Sequence, residues 1–231
     1  MNDFDYYELE RLIDEYEEDS KLIREDKAIM LNYPKLFIMS VASSFEHRLK
    51  ALLGEFVQYP ISPIQTAYPQ IHALTQTRRG KGKPMEDKMF AKLEGYAIRG
   101  MPVLNANPFY DLFGGQVFMD SVKNHFEEER LARLEKEEQL INGICILVEQ
   151  SEQYERDYAK HTDIKERLQQ CSFDMAQNAY LTLKFKRNRI AHDYMNGLTD
   201  SFEDIRNFYY DAIIYVIGLE KAIIDLTNSP T

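Results

Sequence analysis

Outside one interval, apolar residues recur at helical spacing along the whole chain, and no strand-like alternation of useful length interrupts them. The strongest stripe runs through residues 35–58 (Phe37, Ile38, Val41, Ala42, Phe45, Leu49, Leu52, Leu53, Phe56), broad enough for the middle of a helical bundle. With no fixed-period repeat, the pattern predicts an all-α fold and a single domain over 1–231. Helices are expected at 4–32, 35–58, 86–98, 164–186 and 202–226, with a long helix that has room for a kink at 116–160. A turn at Asn32-Tyr33-Pro34 is expected to separate the first two, and His161-Thr162-Asp163 to supply a break and an N-cap before 164–186. The short connection before the last helix predicts that the final two pack antiparallel.

Residues 54–115 break this rhythm. They hold six of the eight prolines and seven of the ten glycines, which predicts turns and short elements. The interval reads as an irregular insertion between bundle helices, not as a second domain. Its run from Arg78 to Lys83, rich in glycine and charge, predicts an exposed, mobile loop.

The net charge of −10 argues against a nucleic-acid partner only until it is located. Residues 1–20 hold nine acids and one base, and the remainder holds 29 acids against 27 bases. Phosphate contacts depend on local charge, so a basic patch elsewhere is compatible with the total. Such a patch stands at 184–193, Lys-Phe-Lys-Arg-Asn-Arg-Ile-Ala-His-Asp, with four cations and a histidine in ten residues. Cys145 and Cys171, without CxxC spacing, suit a reducing compartment and read as small core residues. An acidic start and the absence of a bilayer-length apolar run predict a cytoplasmic protein without a membrane partner.

The five histidines are scattered, with no HExxH and no His/Cys cluster at ligand spacing, so no metal is expected. Without GxxxxGK[ST], GxSxG or GxGxxG, P-loop hydrolysis, serine hydrolase chemistry and dinucleotide binding lack support, and no cofactor is expected. What remains is Arg187-Asn188-x-x-x-His192. On residue types alone, a histidine among cations is more often structural than catalytic. Spacing adds something: Asn188 and His192 stand at i, i+4 and Arg189 and His192 at i, i+3, so they share a helix face. Arg187 points elsewhere on a straight helix and needs a kink or a helix end to converge with His192. The Asn196-Gly197 turn signal puts the motif near such an end.

The Arg-polar-x-x-x-His segment, completed by Ile190-Ala191-His192-Asp193, resembles the signature of the HEPN superfamily of all-helical domains. Many of these are metal-independent endoribonucleases in toxin, antiviral and RNA-processing systems. Ser43-Ser44-Phe45-Glu46 early in the chain, Asn105-Ala106-Asn107-Pro108 in the insertion and the final amphipathic helix are similar to RiboL-PSP-like HEPN proteins. The resemblance implies a HEPN-type helical bundle and cleavage of RNA by its own 2′-hydroxyl, leaving 2′,3′-cyclic phosphate and 5′-hydroxyl ends. His192 would move protons, since an unperturbed imidazole titrates near neutrality. Arg187 would stabilise the phosphoryl charge, and Asn188 would orient the imidazole or the phosphate.

Glu46 would hold Arg187, or is a plain helix charge, and Asp193 is a further supporting residue. Lys184, Lys186 and Arg189 would steer RNA phosphates. With one motif histidine per chain, His192, for a reaction that wants both an acid and a base, the resemblance implies a homodimer with a composite site. An antitoxin or defence-system partner follows from the same resemblance. The alternative is a non-catalytic HEPN module that binds RNA or a partner protein, and a third reading is a structural adaptor whose acidic first helix docks a basic partner.

Overall fold

The last helix is the axis of the molecule. The computed structural model describes residues 6–19, 27–58, 82, 84–102, 108–146, 152–193 and 200–228. Its helices are α1 (Tyr6–Asp19), α2 (Lys27–Gln58), α3 (Met85–Leu93) continued by a π-helical turn (Glu94–Ile98), α4 (Pro108–Phe113), α5 (Gln116–Ile146), α6 (Glu152–Gln170), α7 (Phe173–His192) and α8 (Phe202–Asn228). No strand occurs among the described residues, and the fold is all-α. Every residue of α8 from Tyr209 to Val216 is buried. A helix apolar on all sides needs cover on all sides, and α2, α5 and α7 supply it. The 202–226 stripe reads as amphipathic in sequence, whereas α8 is the bundle's centre.

Directions follow from pairings. α7 runs antiparallel to α8, as expected: Gln177 Nε2 donates to Tyr215 OH (3.3 Å) and Lys186 Nζ to Asp200 Oδ2 (2.6 Å). α2 runs parallel to α8, with Phe37 against Phe202 and Tyr209, Phe45 stacked on Tyr209, and Arg48 reaching Glu220 at 3.5 Å. α5 crosses antiparallel to α8, and Gly218 allows the approach. A Cβ there would stand 3.0 Å from the Val122 carbonyl oxygen and 3.2 Å from the Phe126 nitrogen, both backbone atoms that cannot swing aside. Gly218→Val is expected to lower the unfolding free energy by roughly 1–3 kcal/mol through overpacking, read from urea melts.

Three helix boundaries differ from expectation. α2 passes through Asn32-Tyr33-Pro34 unbroken, although Pro34 offers no N–H to the preceding turn. Packing overrides it: the Tyr33 ring meets Phe202 edge-on at 6.1 Å and its hydroxyl donates to the Leu12 carbonyl at 3.4 Å. The single helix expected at 116–160 is instead two helices, α5 and α6, packed antiparallel; the residues joining them lie outside those described. His161-Thr162-Asp163 sits inside α6, where His161 Nδ1 lies 2.7 Å from Glu137 and Lys165 pairs with Glu138. The real break is Cys171-Ser172, and Ser172 Oγ caps α7 by accepting from the Met175 N–H (3.2 Å).

α1 docks through Leu9 and Ile13, and two of its acids pair with other helices: Glu10 with Arg133, and Asp14 with Lys160. α3 packs on α2. The expected Arg78 to Lys83 loop lies outside the described residues except for Gly82, as do Asn105, Ala106 and Asn107 of the insertion. Cys171 is a core residue whose thiol is pushed up to about 12 by burial and by the neighbouring Asp211 charge. The side chain of Cys145 lies outside the description. No helix among the described residues is long and apolar enough to cross a membrane.

One clamp between α5 and α8 is pH-dependent. His125 Nε2 lies 2.6 Å from Asp225 Oδ2 and Nδ1 lies 3.0 Å from Glu128 Oε2, an arrangement that asks for a proton on both nitrogens. Burial disfavours that cation, but the hydrogen bonds and charges of Asp225 and Glu128 outweigh it and raise the His125 pKa above 6.5. A raised folded pKa stabilises fully below the ordinary value and is lost as pH rises through the folded one. The melting temperature is therefore expected to fall as pH climbs above 6.5, with a shallower slope in His125→Gln.

Candidate active site

The register of α7 decides what each residue of the basic segment can reach. Ala176, Ala179, Tyr180, Leu183 and Ile190 form its buried face. Arg187 falls between Leu183 and Ile190 on that face and turns toward α2. There Arg187 Nη1 donates to Glu46 Oε2 at 2.7 Å, with side chains only 18% and 19% exposed. The other Glu46 oxygen accepts from Lys50 Nζ (2.7 Å), which also reaches Asp87 Oδ1 on α3 (2.6 Å). Alternating charges thus tie three helices behind Arg187. Burial works against the Glu46 carboxylate, but hydrogen bonds from Lys50 and Arg187 hold its pKa below the usual range. Burial likewise opposes the Lys50 ammonium, and the bonds to Asp87 and Glu46 raise its pKa.

The rest of the guanidinium serves Asn188. Arg187 Nε (3.3 Å) and Nη2 (3.0 Å) both donate to Asn188 Oδ1, which fixes the amide with its oxygen inward and leaves its NH2 donors for the outer face. Asn188, Arg189 and His192 are exposed on that face. α7 carries no kink between Arg187 and His192 and ends at His192, where the Asp193 N–H caps the Arg189 carbonyl (2.8 Å). Five residues of unbroken helix leave Arg187 and His192 about 140° apart. The expected convergence through a bend is absent; Asn188 is instead the physical link from the inward arginine to the histidine's side of the helix.

The cations divide. Lys184 donates to Glu94 Oε2 (2.5 Å) and lies over the Phe90 ring at 4.8 Å, so it is occupied inside the fold. Lys186 pairs with Asp200 and lies over Phe208 at 5.5 Å. Of the three expected phosphate-steering residues, Arg189 is the exposed one. Asp193 is exposed at the helix end. Phe185, two turns before His192 on the same face, is 67% exposed.

Lys50, Asp87 and Glu94 were not singled out from the sequence. Lys50 was findable, since it lies at i+4 from Glu46; Asp87 and Glu94 belong to the insertion, where no local signal pairs them with α2 or α7. Tyr180 is a buried phenol kept protonated by burial and by the nearby Glu94 charge. Among the described residues no group of three or more His, Cys, Asp or Glu side chains is arranged to hold a metal ion. No protein-family model, no curated protein and no solved structure matches the chain.

Proposed function

We propose that the chain is a HEPN-type, metal-independent endoribonuclease that works as a homodimer. The observation that carries this reading is the anchored run Glu46–Arg187–Asn188, which ends beside an exposed His192 at the tip of α7. In the reaction, His192 takes the proton of the RNA 2′-hydroxyl, whose oxygen forms a bond to the adjacent phosphorus. The bond from phosphorus to the 5′ oxygen breaks, and that oxygen takes its proton from the imidazolium of a second copy. Asn188 NH2, oriented by the Arg187 guanidinium that holds its oxygen, stabilises the charge on the pentacoordinate phosphate. The exposed Phe185 gives a twofold contact an apolar anchor next to His192. We extend the reading to a cytoplasmic toxin or antiviral-defence effector held in check by an antitoxin or defence-system partner, as the resemblance implies.

Total RNA incubated with the protein in excess chelator tests the core of the proposal. Fragments with 5′-hydroxyl and 2′,3′-cyclic phosphate ends, and a dimer by light scattering, are the expected result. The second reading, a non-catalytic module, draws on the Arg187–Glu46 ion pair, which also serves as a structural tie between α7 and α2. RNA binding without cleavage by wild type would favour it. Host toxicity of wild type but not of His192→Ala tests the effector role.

A further inference from the structure

A groove of about 640 Å³ opens where the π-helical turn, α4 and α5 meet α7. Its rims are built, not incidental. The turn closes with the Met101 N–H bonded back to the Gly95 carbonyl (2.9 Å) through Gly100 at φ +58°, a conformation suited to glycine. This closure lays the Met101 sulfur against Gly95, while Gln177 Nε2 pins the turn to α7 by donating to the Ile98 carbonyl (3.0 Å). Opposite, the Tyr110 ring covers Gly114, where a Cβ would collide with it, and meets Tyr96 edge-to-face at 5.7 Å. Tyr110, Met101 and Arg99 are exposed.

The groove is chemically mixed: two phenol rings and a thioether for stacking, the exposed Asn178 amide for base edges, and cations around it. Glu94, two residues before Tyr96 in the π-helical turn, is compensated twice, by Lys184 and by Arg99. Lys92, over the Tyr96 ring at 5.8 Å, adds positive charge. Position links the groove to the candidate active site. Leu181 in its wall stands eleven residues before His192, three helical turns along the same face and about 16 Å away, with Phe185 between them. A single strand laid along α7 spans that distance in a few nucleotides.

Resting on the endoribonuclease reading above, we propose that this groove is a base-binding subsite that takes an unpaired RNA base a few nucleotides from the scissile phosphate. Tyr110 and Tyr96 stack the base, Asn178 meets its edge, and Arg99 faces the backbone. Single-stranded substrate is required, because a paired base is not available to stack.

The test uses the full chain carrying His192→Ala, so that turnover does not disturb equilibrium binding. A fluorescent single-stranded RNA oligonucleotide is titrated in fixed salt, and the same oligonucleotide carrying 4-thiouridine is photo-crosslinked and mapped by mass spectrometry. Adding Tyr110→Ala is expected to weaken binding roughly tenfold, Asn178→Ala to weaken it less, and crosslinks to fall on the 96–102 and 110 peptides. Asn178 is exposed on α7, so its variant reports even if Tyr110→Ala unfolds. Unchanged affinity in both variants, or crosslinks mapping only elsewhere, overturns the subsite, including the case in which the groove takes a protein instead. Should wild type fail to cleave while Tyr110→Ala still loses RNA affinity, the groove stands and the nuclease reading falls.

Discussion

A His192→Ala variant is expected to lose RNA cleavage by roughly a hundred- to ten-thousandfold in kcat, the usual range for deleting a group that moves protons in the transition state. Its melting temperature is expected to stay at the wild-type value. His192 is exposed and makes no hydrogen bond or ion pair among the described residues, so its removal breaks none of the contacts described. Arg187→Ala should differ in kind. It releases the Asn188 amide that meets the phosphate in the proposed reaction, and it takes from Glu46, 19% exposed, the partner it has beside Lys50. Activity and stability should fall together. Arg187→Lys separates the two roles: an ammonium can keep the pair with Glu46 but cannot also fork onto Asn188, so the melting temperature should largely recover while kcat does not. Rates on a quenched RNA substrate in chelator, beside thermal melts, give both readouts. Wild-type cleavage by His192→Ala would sink the assignment, and full cleavage by Arg187→Ala with a lowered melting temperature would make that arginine purely structural.

How far the sequence carried the fold depended on whether the deciding forces were local. The start of α8 and the ends of α2 and of the π-helical turn follow apolar periodicity and turn residues close at hand, and they stand where the pattern puts them. Pro34 and His161-Thr162-Asp163 are local signals that distant contacts overrule, through Tyr33 on Phe202 and His161 on Glu137. The division of 116–160 into α5 and α6 was illegible for the opposite reason. The hairpin is held by pairs such as Lys165–Glu138, which no short window contains. The site shows the same split. Helical spacing correctly put Asn188, Arg189 and His192 on one face and Arg187 off it. It had no means to show that Arg187 turns inward onto Glu46, that Lys184 is occupied by Glu94, or that Lys186 is occupied by Asp200, since each partner lies on a different element.

Arg167→Leu is expected to cost about 3 kcal/mol of unfolding free energy near neutral pH, because it strands a buried carboxylate. Arg167 Nε and Nη2 grip Asp211 Oδ1 and Oδ2 at 2.9 and 2.6 Å, joining α6 to the central helix. The two ends of the pair are unequal: Asp211 is 5% exposed, while the arginine side chain is 30% exposed, so solvent shares in neutralising it and the loss sits at the lower end of what buried pairs show. Burial already raises the Asp211 pKa above its ordinary 3.8 despite the opposing pull of Arg167. Without that pull the folded-state value climbs further. Between the ordinary value and the raised one the folded chain then holds a proton that the unfolded chain has released, so destabilisation grows as pH rises and levels off above the raised value. Urea melts near pH 4 and near pH 7 should therefore show a small loss at the lower value and the full loss at the higher. Arg167→Leu combined with Asp211→Leu should recover much of the stability, since no charge is left buried. An equal loss at both pH values would mean that lost alkyl packing, not the stranded charge, sets the cost.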